Sequence, residues 1–312
     1  MMKLGVRAIP AIFSVGISAS DSAPSLPALL NLVRSEEFGD AFSMGRLTVV
    51  ASGCPGGLLA ELAAVQEEDS RVDVIVEPER RGKAEAVNRI IADSVGEYLV
   101  LLNSDAIPAK GAILALLEEL SSDGRTGCVS ARPVFRDSGG LLASLLGIMW
   151  STHNLASLTL NHHMISNHTS DELFVARREL LTPLPPSLVN DGAYIGGRIQ
   201  AGGHLVKFSR RAVVSIDVPE RPADLIGQRR RIVFGHVQVW KKLGNPPKTV
   251  ESLLFLKPTL AARILVVSLS SRPRLIPALP VAVVSEILSA VLAMSDHLRS
   301  STKHAVWKRY AV

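Results

Sequence analysis

From Ala11 onward, short apolar runs alternate with amphipathic segments at a spacing that suits βαβ units around a parallel sheet. Ala11–Ser18, Arg46–Ser52, Arg71–Glu77 and Glu97–Asn103 read as strands. Between them, Ser25–Glu37, Gly56–Glu68 and Gly82–Ser94 carry Leu, Val or Ile at helical spacing. Pro108–Leu120 reads as the next helix, its proline near the N-terminus where a missing N–H costs nothing. Gly127–Pro133 follows as a strand. Past Gly140 the pattern loosens into an apolar helical stretch, Leu141 to about Leu160, and a polar, His-rich loop. Asp171–Arg177 then reads as a strand, Asp191–Ala201 as a helix, His204–Ser209 and Ala212–Asp217 as a pair of strands, and Ala223–Leu243 as a long basic helix. The expected architecture is α/β: a mixed, mainly parallel sheet flanked by helices, with a C-terminal apolar helical extension.

That extension comprises Thr259–Ser270 and Leu275–Met294, separated by Arg272-Pro273-Arg274. The first is too short to span a bilayer that needs roughly 20 apolar residues, and the second contains Pro277, Pro280 and Glu286. Both read as packed or lying in a membrane interface, with a true span as the alternative. Met1–Pro10 lacks the apolar stretch of a secretory signal, so catalysis is expected on the cytoplasmic side, peripheral or monotopic on the inner face of the cell membrane.

Composition narrows the partners. Hydrophobic residues make up 47% of the chain and aromatics 4%, enough for a large aliphatic core but few platforms for stacking bases, which argues against nucleic acid. The formal net charge of +5 by itself suits an anionic partner, whether a nucleotide diphosphate, an acidic lipid surface or nucleic acid. Cys54 and Cys128 have neither disulfide-framework nor zinc spacing.

In open α/β sheets the ligand sits beyond the carboxyl ends of the strands. Those ends supply Ser18, Ser20 and Asp21, then Ser52, then Glu77 with Arg80, Arg81 and Lys83, then Asn103-Ser104-Asp105. One acid, several small polar groups and a basic turn at a helix start suit a nucleotide diphosphate with a metal ion. Asp105 by itself would cap a helix, but its place after the apolar, central-looking strand Tyr98–Leu102 favours a ligand for Mg²⁺ or Mn²⁺. Asp191 is a helix cap or a general base. In Gln228-Arg229-Arg230-Arg231 three consecutive arginines cannot share one helix face, so at least one is expected to point inward or toward a ligand. His162, His163 and His168 match no zinc spacing and read as loop residues.

Taken together, Val49–Cys54, Gly82-Lys83-Ala84-Glu85-Ala86-Val87-Asn88, Asn103-Ser104-Asp105, Asn190-Asp191 and Gln228–Ile232 resemble, in order, the motifs of the family 2 glycosyltransferases with the GT-A fold. The resemblance implies an inverting transfer from a nucleotide-diphosphate sugar to a lipid-linked or glycan acceptor. Asp105 would bind the metal and Asp191 activate the acceptor. Lys83, with Ser18, Ser20, Ser52, Glu77, Arg81, Asn103 and Ser104, would bind the nucleotide and donor, and Gln228, Arg229 and Arg230 would contact diphosphate or acceptor. Ser295–Trp307 is similar to the tails of membrane-associated members. Asn103 stands where the family's DxD has its first acid, and Ile232 where QRRRW has tryptophan. The implied division is residues 1–245 as the transferase domain, with a nucleotide-binding half (1–135) and an acceptor half (136–245), and 246–312 as a membrane-associated extension. The alternative is a fold relative that binds sugar nucleotides without catalysis. A nucleotidyltransferase is disfavoured because Ser18–Pro24 holds no glycine, and a dinucleotide oxidoreductase because no GxGxxG occurs.

Overall fold

A computed structural model describes residues 9–20, 26–137, 139–299 and 303–305. Asp21, Ser25 and Trp307 lie outside the described residues. The first half runs β1 (Ala11–Ser20), α1 (Leu26–Ser35), β2 (Phe42–Ser52), α2 (Gly56–Glu68), β3 (Val72–Glu77), α3 (Lys83–Asp93), β4 (Tyr98–Asn103), β5 (Ala106–Pro108), α4 (Ala112–Ser121) and β6 (Thr126–Val134). The second runs α5 (Gly140–His162), β7 (Leu173–Arg177), α6 (Asp191–Ala201), β8 (Leu205–Ile216), α7 (Pro222–Leu243), α8 (Val250–Leu256), α9 (Pro258–Ser270) and α10 (Leu279–Leu298).

Among the described residues the strands form one sheet in the order β3-β2-β1-β4-β7-β6-β8-β5. β1 to β4 are mutually parallel, β7 runs antiparallel between β4 and β6, and β5 pairs antiparallel with β8 at the edge. The apolar continuity of β4 has a direct cause: Val100 and Leu102 face a core built with α1, α2 and α4, while Leu99 and Leu101 face one built with α3, α6 and α7. Burying each such side chain stabilises the fold by about 1.5–3 kcal/mol, so covering both faces fixes β4 at the centre. The expected mixed, mainly parallel sheet flanked by helices is what forms.

Two local readings change. Pro108 ends β5 rather than opening a helix; Ala106, Ile107 and Pro108 pair with Ile216, Ser215 and Val214, and the helix starts only at Ala112. A proline, lacking a donor, is tolerated here because this is an edge strand. The expected strand pair 204–217 is one strand, β8, whose register against β6 slips between Ser130 and Arg132. Opposite that slip the Ser209 hydroxyl accepts the N–H groups of Arg211 (3.1 Å) and Ala212 (3.0 Å).

The helices after β6 form a second layer. α10 packs along α7, α5 against α9, and α8 against α9. By length and composition Gly140–His162 and Pro273–Leu298 could each cross a membrane; the first is a partly buried packing helix, whereas the second is mostly uncovered. Val266, Val284, Ile287, Val291 and Leu298 on α9 and α10, and Phe255 on α8, are all exposed.

Candidate active site

The carboxyl ends of β1, β2 and β4 open onto a cleft of about 250 Å³. Ser18, Ser20, Ser52, Lys83, Asn103, Ser104, Asp105, Asp191 and Gln228 all line it, joined by Arg80, Asp171, Glu172, Arg231 and Ile232. Residues separated by more than two hundred positions in sequence therefore share one wall.

Lys83 and Asp191 meet at its base. Lys83 begins α3 and Asp191 begins α6, and Lys83 Nζ lies 3.0 Å from Asp191 Oδ2. Asn190 supplies the cap of α6, its side-chain oxygen accepting the Ala193 N–H at 3.1 Å, so Asp191 is not needed for that task. Placed in the first turn, its carboxylate also gains from the helix dipole. Burial disfavours the charge on Lys83, but Asp191 and Asp171 outweigh it and hold the ammonium above its ordinary value. Asp191 is 2% exposed, and its second oxygen, Oδ1, is buried with no hydrogen-bond partner.

From the sequence, Asp171 and Glu172 read only as the start of a strand. Because β7 is antiparallel, its N-terminal end lies beside the carboxyl ends of its parallel neighbours: Leu173 pairs with Leu102, and the Asn103 N–H donates to the Glu172 carbonyl at 3.0 Å. Burial, reinforced by the charge on Asp191, raises the Asp171 carboxyl well above the usual carboxylate range. Burial likewise raises Glu172, opposed by a hydrogen bond from Ser170, with Asp105 adding to the rise. Gly192 makes this crowding possible, since a Cβ there would lie 1.8 Å from Asp171 Oδ1. The signal available in the sequence was the acidic pair immediately before the apolar run Leu173–Ala176.

Among the described residues no cluster of three or more His, Cys, Asp or Glu side chains forms a metal cage. A hard divalent cation held by one or two carboxylates, with phosphate oxygens and water completing its shell, requires none. Asp105, with Glu172 close enough to feel its charge, is a donor set of that kind, and the unpartnered Asp191 Oδ1 and Asp171 Oδ1 add buried acceptors to the same cleft.

Four expected binding residues lie elsewhere. Glu77 sits beneath the cleft, accepting from Ser52 Oγ at 2.6 Å and pairing with Arg89 at 2.5 Å. Arg81 is exposed and off the wall. In the arginine run, successive side chains fan out by about 100° around α7. Arg229, 8% exposed, turns away to Glu286 (2.7 and 3.0 Å) and Glu251 (2.6 Å). Arg230 makes a two-pronged pair with Asp296 of α10, both contacts 2.6 Å. Arg231 is the one that reaches the cleft, donating to the carbonyls of Val189 (3.2 Å) and His304 (3.4 Å).

The pair formed by Arg230 has a further role. Asp296 also takes Lys303 (2.9 Å) and His304 (2.7 Å), which pins the chain after α10 across α7. Ala305 then closes one side of the cleft, passing over Gly82. Gly82 has φ 103°, and a Cβ there would lie 2.8 Å from the Ala305 carbonyl oxygen. Conformation and space both demand glycine.

Comparison with known proteins places this geometry in context. The model of the family described as glycosyl transferase family 2 matches residues 14–181. The poly-beta-1,6-N-acetyl-D-glucosamine synthase of Staphylococcus aureus is 23% identical over 191 residues, covering 58% of this chain and 45% of that protein. The chain therefore spans less than half the length of the curated relatives it matches. A mannosyltransferase from Pyrobaculum calidifontis, solved with GDP-mannose and Mn²⁺, superposes with a TM-score of 0.64 at 20% identity, covering 94% of this chain and 88% of that one. Glucosyl-3-phosphoglycerate synthase from Mycobacterium tuberculosis, solved with Mn²⁺, UDP and phosphoglyceric acid, gives 0.50 at 19% identity, covering 77% and 80%. At these identities the structural likeness establishes the GT-A fold.

Proposed function

Since the chain belongs to the family 2 glycosyltransferases, we propose that it moves a sugar from a nucleotide-diphosphate donor to a hydroxyl acceptor, lipid-linked or glycan, with inversion at the anomeric carbon. The observation that carries this reading is the convergence of Asp105, Lys83 and Asp191 on one cleft. Neighbouring carboxylates in different surroundings support the assignment: Asp191 is paired with Lys83, while its neighbour Asp171 is pushed toward the protonated form. Asp191 accepts the acceptor's hydroxyl proton as that oxygen bonds to the anomeric carbon. The bond from that carbon to the diphosphate breaks, and its electron pair leaves with the phosphate oxygen. Arg80, Arg231 and Lys83 line the cleft as cations for the diphosphate, and Gln228, Ser18, Ser52 and Asn103 offer hydrogen bonds. Asp105, with Glu172 beside it, would hold Mg²⁺ or Mn²⁺; when bound, such an ion neutralises charge developing on the leaving group. Two solved proteins of this fold hold Mn²⁺ with a nucleotide or nucleotide sugar, which supports the same donor class here. The uncovered apolar faces of α9 and α10 suit attachment to a membrane surface.

The test is a panel of nucleotide sugars, with and without Mn²⁺, read by thermal shift and by nucleotide-diphosphate release. A cognate donor is expected to raise the melting temperature in a metal-dependent way, and Asp105→Asn to remove the metal dependence. Asp191→Asn should keep the donor shift while release falls by about 10²–10⁴-fold. Release by Asp191→Asn at the wild-type rate removes it from the mechanism. Asn103, at the mouth of the cleft in place of an acid, favours a second reading as a silent sugar-nucleotide binder. A donor shift with no release from any donor selects that reading.

A further inference from the structure

A second cavity, of about 530 Å³, opens directly from the first. It shares Asp171, Glu172, Gln228 and Ile232 with the donor cleft and runs outward between α5, α7, α8, α9 and α10. Its volume is that of a small-molecule site. Most of its wall is aliphatic, and Leu254, Val283 and Ile287 at its outer end belong to the uncovered apolar faces described above. A chain entering from a membrane interface would reach Asp171 and Glu172, where this cavity meets the cleft that holds the proposed base.

The polar groups of this wall define the head group. His153, His168 and His236 face one another edge to face, with ring centres 6.4 and 5.1 Å apart along the row. His153 Nε2, His168 Nδ1 and His236 Nε2 are all shielded from solvent and lack any hydrogen-bond partner. Burial pushes all three rings down, His153 and His236 to about 4, so they are uncharged at neutral pH. Unpaired buried nitrogens carry an unrepaid desolvation cost, so a ligand that satisfies them gains affinity. Arg229 is the lone cation lining the cavity among the described residues, and it is already paired with both Glu251 and Glu286. A phosphate there would meet Glu251 and Glu286, with Asp171 and Glu172 also on the wall, and no uncommitted cation, whereas a hydroxyl, able to donate and accept, suits neutral imidazoles.

We infer that this cavity is the acceptor site and that its occupant is a membrane lipid ending in an uncharged, hydroxyl-bearing head group. The inference rests on the transferase reading above and names its acceptor. The lipid oxygen bonds to the anomeric carbon, its proton passes to Asp191, and the nucleotide diphosphate departs with the bonding electron pair.

The experiment uses the full chain in mixed micelles with whichever of UDP-glucose, UDP-N-acetylglucosamine or GDP-mannose shifts its melting temperature. Radiolabelled sugar is offered to dioleoylglycerol, to a polyprenyl phosphate and to soluble oligosaccharides. Label is expected in the organic phase with dioleoylglycerol, at a rate at least tenfold above the polyprenyl phosphate. Leu254→Trp and, separately, Ala282→Trp narrow the cavity, and each should cut lipid transfer at least tenfold. The donor-induced melting shift should persist in both, showing that they fold and bind donor. Equal or faster transfer to the phosphate lipid, transfer to oligosaccharides alone, or unchanged lipid transfer in both folded variants overturns the inference and leaves the donor reading standing. Absence of a melting shift with every donor tested fells the transferase reading, and this inference with it.

Discussion

Replacing Lys83 by Met tests the proposed base most directly. The lysine stem is kept in length and apolar character, while the charge 3.0 Å from Asp191 Oδ2 is lost. At that separation an effective dielectric of about 20 gives roughly 5 kcal/mol of attraction before desolvation is subtracted. Removing one partner of a buried pair typically costs about 3–5 kcal/mol, because the other charge is left uncompensated. With about 2.1 cal/mol/K of unfolding entropy per residue over 312 residues, that is a fall of about 5–8 °C in melting temperature. The lost charge also has a functional signature. Lys83 holds the Asp171 carboxyl down against burial and the charge on Asp191, so Lys83→Met should push Asp171 further up. Nucleotide-diphosphate release should therefore drop by about 10²–10⁴-fold at pH 7 and partly recover as pH rises. Adding Asp191→Asn should restore most of the lost stability without restoring activity, a coupling that differential scanning fluorimetry on the four proteins of the cycle measures. A single variant with wild-type stability and an unshifted pH profile refutes the claim that the Lys83–Asp191 pair supports the fold and the reaction.

Three further outcomes are expected. Gly192→Ala puts a Cβ 1.8 Å from Asp171 Oδ1; although alanine favours helices, overpacking should destabilise the protein by about 1–3 kcal/mol, and Asp171→Gly in the same chain should relieve it in thermal melts. Burial holds His153 and His236 at about 4 against about 6.5 when unfolded, so the stability they contribute is complete above pH 6.5 and is lost as pH falls toward 4. At about 1.4 kcal/mol per pKa unit this makes several kcal/mol, and the double glutamine variant should show a shallower fall in melting temperature between pH 7 and pH 4.5 than the wild type. Arg230→Met frees Asp296 from its two 2.6 Å contacts and loosens the segment that carries Ala305 over the cleft; the KM for donor should rise several-fold with kcat little changed, and a smaller effect on KM than on kcat would place Arg230 in the chemistry instead.

Much of the cleft was legible because local rules govern it. Parallel strands end where apolar runs end, so Ser18, Ser52, Asn103 and Asp105 could be placed at one sheet edge from the pattern alone, and all four line the cleft. α2 and α6 were readable to the residue, α6 because Asn190 and Asp191 mark a capped helix start. The misreadings share a different cause. Pro108 is a helix opener by propensity and a strand end by its pairing with Val214, more than a hundred residues away. The acids Asp171 and Glu172 were hidden because nothing local announces that β7 runs antiparallel.

The arginine run draws the same boundary more finely. That three adjacent guanidinium groups must diverge follows from helix geometry, and the sequence by itself was sufficient for that, as it was for the α/β class and for the order of the motifs. Which arginine would face the cleft depended on Glu251, Glu286 and Asp296, carboxylates on helices that pack against α7 only in the folded molecule. A buried guanidinium requires a partner, and the identity of that partner is a property of helix packing, so the assignment of Arg231 to the cleft and of Arg229 and Arg230 to the scaffold was decided by tertiary structure.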